Sequence, residues 1–274
     1  MSYQCPLCFL PLALTNRSFR CENNHQFDLA KEGYVNLMPA HHKRSKDPGD
    51  NKEMTQARRR FLEANHYQPM CDQVAKTCVE WVKDKHNVQI LDIGCGEGYY
   101  TEHIAKELSE AKIKSDVFGL DISKVAIRYA AKRYPNCQFS VASSHRLPFA
   151  DHSLDAMVRI YAPCKAIEMQ RVLKENGVLI TVTPASRHLY QLREEIYEQV
   201  RLHTEEPEIL EGFTLESQNK LSYEMTLTGS QANDLLQMTP FAWKASPELK
   251  ARLIAAEHYL CEADFMVSIY RKND

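Results

Sequence analysis

The chain has 274 residues, 34 Lys/Arg against 36 Asp/Glu for a formal net charge of −2, and 44% hydrophobic residues. That is enough for one large domain plus a small module, with apolar residues to build a core. The even balance excludes a uniformly basic nucleic-acid clamp; no stretch approaches the ~20 apolar residues of a membrane span, and no export signal is expected.

The charge is unevenly placed. Residues 1–60 carry ten Lys/Arg against six Asp/Glu, the remainder twenty-four against thirty. A basic front on an acidic body is expected to meet a polyanion. Nine cysteines, an odd number without an export signal, point to thiols or metal ligands in a reducing cytoplasm rather than to disulfides.

In chain order, the first forty residues hold Cys5-x2-Cys8 and, twelve residues on, Cys21-x3-His25. Two short ligand pairs separated by a loop suit tetrahedral zinc. Three thiolates and one imidazole fill every position, so the expected ion is structural and substitutes for a core that so few residues can hardly build. Tyr3, Phe9, Arg17, Phe19, Arg20, Phe27, Lys31 and Tyr34 are available in this module for nucleic acid or for the core. Residues 41–52 (HHKRSKDPGDNK) read as a linker with a turn at Asp47-Pro48-Gly49-Asp50. Helical patterning begins near Glu53 and carries Arg58-Arg59-Arg60, a second basic run. Both basic runs, residues 41–46 and Arg58–Arg60, are candidates for phosphate contact if the substrate is RNA, and are otherwise simply solvated. A further helix is expected over 68–83.

From residue 88 apolar strands alternate with helices: strands over Val88–Ile93, 116–121, 138–142, 156–161 and 178–183, helices over 99–108, 123–134 and 165–173. The pattern predicts a parallel sheet with helices on both faces. Residues 188–203 read as a helix, and 214–227 and 264–270 as two late strands, an antiparallel finish to the sheet.

Residues 90–98 read ILDIGCGEG, an apolar strand running into Gly94-x-Gly96-x-Gly98 with a helix behind it. Glycine allows a sharp turn and close approach of a ligand, and the helix start offers free N–H groups. Such a loop could also serve a dinucleotide. Asp92 inside the strand, Glu97 in a position hostile to phosphate, and Asp121 at the end of the next strand favour a nucleoside with ribose hydroxyls and no pyrophosphate.

These features resemble the class I S-adenosylmethionine-dependent methyltransferases, over roughly residues 68–274. The resemblance implies an α/β fold: a seven-stranded, mostly parallel, doubly wound sheet, here with a small N-terminal Cys3His zinc-binding module. It also implies that Gly94, Gly96 and Gly98 line the methionine portion, that Asp121 holds the ribose, and that Ser143 lies beside the adenine. Residues 28–50 (DLAKEGYVNLMPAHHKRSKDPGD), 60–69 (RFLEANHYQP), 143–149 (SSHRLPF), 160–165 (IYAPCK) and 236–243 (LQMTPFAW) further resemble the bacterial 23S ribosomal RNA guanine-N1 methyltransferases. That family implies three segments: a zinc-binding RNA-recognition module over 1–40, a basic linker and helical connection over 41–67, and a methyltransferase domain over 68–274. It implies S-adenosyl-L-methionine and structural Zn2+ as cofactors, a 23S RNA hairpin as partner, no membrane, a homodimer, and a cytoplasmic location.

The same resemblance brings Tyr67 and His188 to the cofactor, although Tyr67 could equally pack the domain junction. With Asp92, Glu97 and Tyr99 they complete the expected cofactor set. Tyr161 and Pro163, after the fourth strand of the methyltransferase domain, are expected to shape the pocket for an extruded base. Pro163-Cys164 also suits a 5-methylcytosine enzyme with Cys164 as nucleophile, and Arg146-Leu147-Pro148-Phe149 is similar to an element of small-molecule methyltransferases. Guanine N1 carries a proton, and Glu97, His145, Asp155 and His188 are the conceivable bases.

Overall fold

The computed structural model describes residues 3–39 and 52–273. The turn at residues 47–50 and the basic run 41–46 lie outside the described residues. The N-terminal module consists of β1 (Ala13–Thr15), β2 (Ser18–Arg20) and β3 (Gln26–Asp28), a small antiparallel sheet, followed by β4 (Val35–Asn36). Helices α1 (Lys52–Glu63) and α2 (Gln68–Val82) lead into the alternating region: β5 (Val88–Ile93), α3 (Tyr99–Glu110), β6 (Ser115–Asp121), α4 (Lys124–Arg133), β7 (Gln138–Val141), β8 (Leu154–Ile160), α5 (Ala166–Val172) and β9 (Leu173–Pro184). The last third holds α6 (Tyr190–Glu194), β10 (Phe213–Leu227), α7 (Gly229–Gln237), α8 (Pro247–Ala255) and β11 (Tyr259–Lys272).

The main sheet runs β10-β11-β9-β8-β5-β6-β7-β4, with β10 and β11 antiparallel to their neighbours and the rest parallel. The seven expected strands are all present. The eighth, β4, belongs to the zinc module and pairs Val35 with Ser140 and Asn36 with Val141 at the sheet edge. All six residues of β5 are buried, as a central parallel strand covered on both faces requires. Successive strands travel one way from β5 through β6 to β7 and the other way from β8 to β9. The crevice at the carboxyl ends of β5 and β8 is therefore the ligand position for this topology.

One core holds the module and the methyltransferase sheet together. Tyr3, Leu12, Phe19, Leu37 and the ligands Cys5 and Cys21 pack in a single cluster with Leu91, Phe118 and Phe149. The Tyr3 ring lies 5.3 Å from Phe19, 5.8 Å from Phe118 and 5.4 Å from Phe149. Backbone bonds from Gln4 N to Pro148 O and from Leu37 N to Val141 O stitch the same joint.

Two segments depart from the sequence reading. Residues 188–203 form only the short helix α6. Arg193 there turns its guanidinium onto the carbonyls of His188 (3.3 Å) and Arg201, and the helix ends at Glu194, its last turn closed by Tyr197 N donating to Arg193 O (2.9 Å). Helices α7 and α8 were not expected, although both carry N-terminal signals: a capping box of Thr228 with Gln231, and Ser246 before Pro247. Among the described residues no helix is long and apolar enough to cross a membrane.

Candidate active site and metal centre

The metal cluster is assembled by two tight turns. The ligand atoms of Cys5, Cys8, Cys21 and His25 all lie within 4.8 Å of one another. Cys8 Sγ is 3.6 Å from Cys21 Sγ, and His25 Nδ1 is 3.4 Å from Cys5 Sγ and 3.5 Å from Cys21 Sγ. A tetrahedron with Zn–S of about 2.3 Å and Zn–N of about 2.0 Å has edges of roughly this length. The soft donor set, with His25 entering through Nδ1, suits zinc, and the four protein ligands leave it a structural role.

The glycine turn lies at the carboxyl end of β5. Gly94 N and Cys95 N donate to Leu120 O (2.8 and 3.0 Å), which ties the turn to the end of β6. Gly94 has φ +70°, and a Cβ there would lie 2.5 Å from that of Ala162, just past β8. Only glycine permits so close an approach. Gly96, with φ +55°, is different: a Cβ there would meet nothing within 4 Å. Its N–H donates to Asp121 Oδ2 (3.0 Å), while Asp121 Oδ1 accepts from Ser123 N (2.7 Å). The open space beside a left-handed glycine and an acidic strand end is a cradle of the kind a nucleoside cofactor fills.

Asp92 is buried under the turn and accepts from Thr101 Oγ1 at 2.6 Å; burial pushes its carboxyl up to about 7. Glu97 is held by Arg59 of α1 in a two-pronged pair, with Nε donating to Oε2 at 2.6 Å and Nη2 to Oε1. The Arg59 guanidinium also covers the Tyr129 ring at 4.2 Å. The basic run therefore points inward. Arg58 donates to Met238 O (3.2 Å), and Arg60 grips Asp234, with Nε donating to Oδ2 at 2.9 Å. Arg59 was visible in the sequence only as part of a charge run; its partner lies 38 positions away.

Tyr99 opens α3 and donates to Gln68 Oε1 of α2 at 2.7 Å. Ser143 lies past β7, its Oγ accepting from His145 N at 3.1 Å. It also lines a small crevice between the methyltransferase sheet and the zinc knuckle, together with Gln4, Phe9 and Arg146. At its rim the Arg146 guanidinium stacks over the half-exposed Phe9 ring at 4.1 Å. Of the module's other aromatics, Tyr3, Phe19 and Tyr34 are buried.

A second wall stands at the ends of β8 and β9. Tyr67 is buried, its ring 5.0 Å from Phe61, 5.0 Å from Phe265 and 6.2 Å from His188. His188 Nδ1 accepts from Asp264 N at 3.2 Å, and its Nε2 faces the Tyr161 hydroxyl at 3.5 Å. Burial is the main cause that lowers the His188 imidazole to about 3, so it stays neutral. Pro163 is exposed beside this wall. Cys164 donates to Ser144 O at 3.2 Å, and burial pushes its thiol up to about 12.

The four conceivable bases separate on geometry. Asp155 lies at the opposite end of β8, accepting from Gln89 N (2.9 Å) and Lys174 Nζ (2.7 Å). Glu97 is ion-paired. His188 has its basic nitrogen occupied. His145 is on an exposed loop.

A glycine turn at the sheet's switch point, an acid at each of the first two strand ends and a fused Cys3His knuckle define a class I, S-adenosylmethionine-dependent methyltransferase with a structural zinc module. The chain matches the family described as "RlmA, N-terminal" over residues 3–46 and a methyltransferase domain family over residues 84–236. It is 31% identical over 257 residues to the 23S rRNA (guanine(748)-N1)-methyltransferase of Streptomyces fradiae, covering 92% of this chain and 89% of that one. It is 33% identical over 252 residues to a protein of Bacillus subtilis named as a 23S rRNA (guanine-N1)-methyltransferase, covering 89% of this chain and 87% of that one. The chain belongs to the 23S rRNA (guanine-N1)-methyltransferase family.

Proposed function

We propose that the chain transfers a methyl group from S-adenosyl-L-methionine to N1 of one guanine in a hairpin loop of 23S ribosomal RNA. The observation that carries this reading is the union, in one core, of the glycine cradle's sheet with a Cys3His module. A small substrate would need no such module.

When bound, the cofactor supplies a methyl group on a positively charged sulfur. In this reading Gly94, Gly96 and Gly98 follow its methionine portion, Asp121 takes the ribose hydroxyls, and Ser143 borders the adenine. Asp92 supports the turn from beneath. Glu97, steadied by Arg59, and Tyr99, steadied by Gln68, fix its far side. Tyr67 and His188 close the wall toward β9. Tyr161 and Pro163 face the space left for the target base. The protein's work is alignment and exclusion of water. A loop guanine is cheaper to extrude than a paired one, which favours a hairpin.

Residues 1–40 serve as the RNA-recognition module, residues 41–67 as the connection, and residues 68–274 as the methyltransferase domain. The Phe9–Arg146 stack and the knuckle around it form an RNA-facing surface of stacking and charge. Two copies flanking one hairpin would offer two such surfaces. The site of action is the cytoplasm, where ribosomal RNA is accessible.

The test is primer extension on 23S RNA lacking the modification, after incubation with the protein and S-adenosylmethionine. N1 methylation blocks Watson–Crick pairing, so reverse transcriptase arrests at one guanine. Absence of any arrest overturns the reading.

A further inference from the structure

Guanine N1 becomes nucleophilic as it loses its proton, and the resulting negative charge spreads onto O6. A fixed donor at O6 would lower the cost of that step. We propose that Tyr161 is a catalytic residue, its hydroxyl donating a hydrogen bond to O6 of the target guanine, with His188 as the positioning residue that aims it. This inference rests on the reaction proposed above.

Tyr161 immediately follows β8, the parallel neighbour of β5, and the next residue, Ala162, abuts the glycine turn at Gly94. The residue as a whole is half-exposed, while its hydroxyl end is buried facing His188, so the side chain lines a wall that a base brought to the cofactor can reach. Tyr161 has φ +54°, a left-handed backbone that a bulky aromatic residue rarely adopts. Strain of this kind persists only where the surroundings over-determine it, and it gathers at functional sites.

Asp264 N–H donates to His188 Nδ1, which leaves the single imidazole proton on Nε2. That Nε2–H is directed at the Tyr161 oxygen, 3.5 Å away, a spacing that can tighten on substrate binding. With its oxygen accepting from the imidazole, the tyrosine O–H is released to donate elsewhere. The source of the chain is itself anchored. Asp264 lies on β11, and its carboxylate accepts from Arg187 N at 2.9 Å and from Ser222 Oγ. Burial keeps His188 neutral and holds the Tyr161 hydroxyl well above its ordinary range, so neither group gives up the required proton at neutral pH.

The step balances without a protein base. The N1–H proton is lost to solvent as the base enters and before water is excluded, the pair left on N1 forms the new N–C bond, and the C–S bond breaks with its pair on sulfur. Tyr161 keeps its proton throughout. The same donor selects guanine, because adenine presents an amino donor where guanine presents O6.

The experiment compares Tyr161→Phe, His188→Ala and His188→Gln with the wild-type chain in single-turnover methylation of unmodified 23S RNA, alongside RNA and S-adenosylhomocysteine affinities. Tyr161→Phe is expected to slow methyl transfer on the order of 100-fold, with both affinities within about threefold of wild type. His188→Gln, which keeps an N–H donor, should retain more rate than His188→Ala. An independent readout needs no variant: 15N spectra of histidine-labelled protein should show His188 as the neutral Nε2–H tautomer from pH 6 to 9. A Tyr161→Phe rate within about threefold of wild type, a loss wholly explained by RNA affinity, or an Nδ1–H tautomer would each overturn the assignment. Failure of the wild-type chain to arrest primer extension at a guanine would instead overturn the reaction, and the role of Tyr161 with it.

Discussion

Replacing Gly96 by Ala separates the cofactor cradle from the rest of the turn. The new methyl would meet no protein atom within 4 Å, and the N–H that donates to Asp121 is retained. The cost to the free protein is therefore only that of an L-residue at φ +55°, about 1–2 kcal/mol. In a domain of this size that corresponds to a Tm lowered by roughly 2–8 °C. If the open space is the cofactor's, one methyl group there should weaken binding by at least about 1.4–3 kcal/mol, or roughly 10- to 100-fold. Gly94→Ala is the contrast: its Cβ would lie 2.5 Å from Ala162 Cβ at φ +70°, so its stability should fall further. Thermal unfolding without ligand and titration calorimetry with S-adenosylhomocysteine measure the two effects separately. A Gly96→Ala protein that binds like wild type, or that loses as much stability as Gly94→Ala, would refute the placement of the cofactor.

Three further outcomes are expected. Asp92 has its carboxyl raised by burial from 3.8 to about 7, so between about pH 4 and 7 the folded state holds more protons than the unfolded one and stability falls as pH rises. Asp92→Asn removes that dependence, and its Tm should gain on wild type between pH 5 and pH 8; a Tm difference that does not change with pH contradicts the burial argument. Cys164→Ser should methylate RNA within about threefold of wild type, since a thiol held protonated and donating to Ser144 O is no nucleophile; a covalent RNA–protein adduct trapped at Cys164 would reverse this. Removing zinc with a chelator should lower the Tm of the whole chain and not merely release the module, because Tyr3 and Phe19 share a core with Phe118 and Phe149. Metal analysis that finds no zinc in protein purified without chelator would contradict the Cys3His assignment.

Much of the fold was legible because its signals are local. Apolar runs ending at Ile93 and Asp121, each followed by a glycine turn or a Ser123 cap, set β5, α3, β6 and α4 almost to the residue. Both metal ligand pairs are short-range motifs, so the cluster could be read directly. What escaped the sequence depends on distant partners. The pairing of Val35–Asn36 with β7 spans about a hundred residues and involves only two. The inward turn of Arg58, Arg59 and Arg60 depends on Met238, Glu97 and Asp234, and a charge run looks the same whether its tips meet water or acids. The tautomer of His188 is decided by a backbone N–H 76 residues away. The truncated α6 reflects a tertiary override: Arg193 satisfies carbonyls that lie outside any helix. Helices α7 and α8, by contrast, carried readable capping signals at Thr228 and Ser246.

The expected product is N1-methylguanosine in 23S ribosomal RNA. It is tested most directly by digesting RNA methylated in vitro to nucleosides and separating the isomers by chromatography with mass spectrometry. The transferred methyl is expected as 1-methylguanosine, about one per RNA at saturation and dependent on the intact zinc module. Recovery of the label in 5-methylcytidine, in another guanine isomer, or in a small molecule with the RNA unlabelled would contradict it.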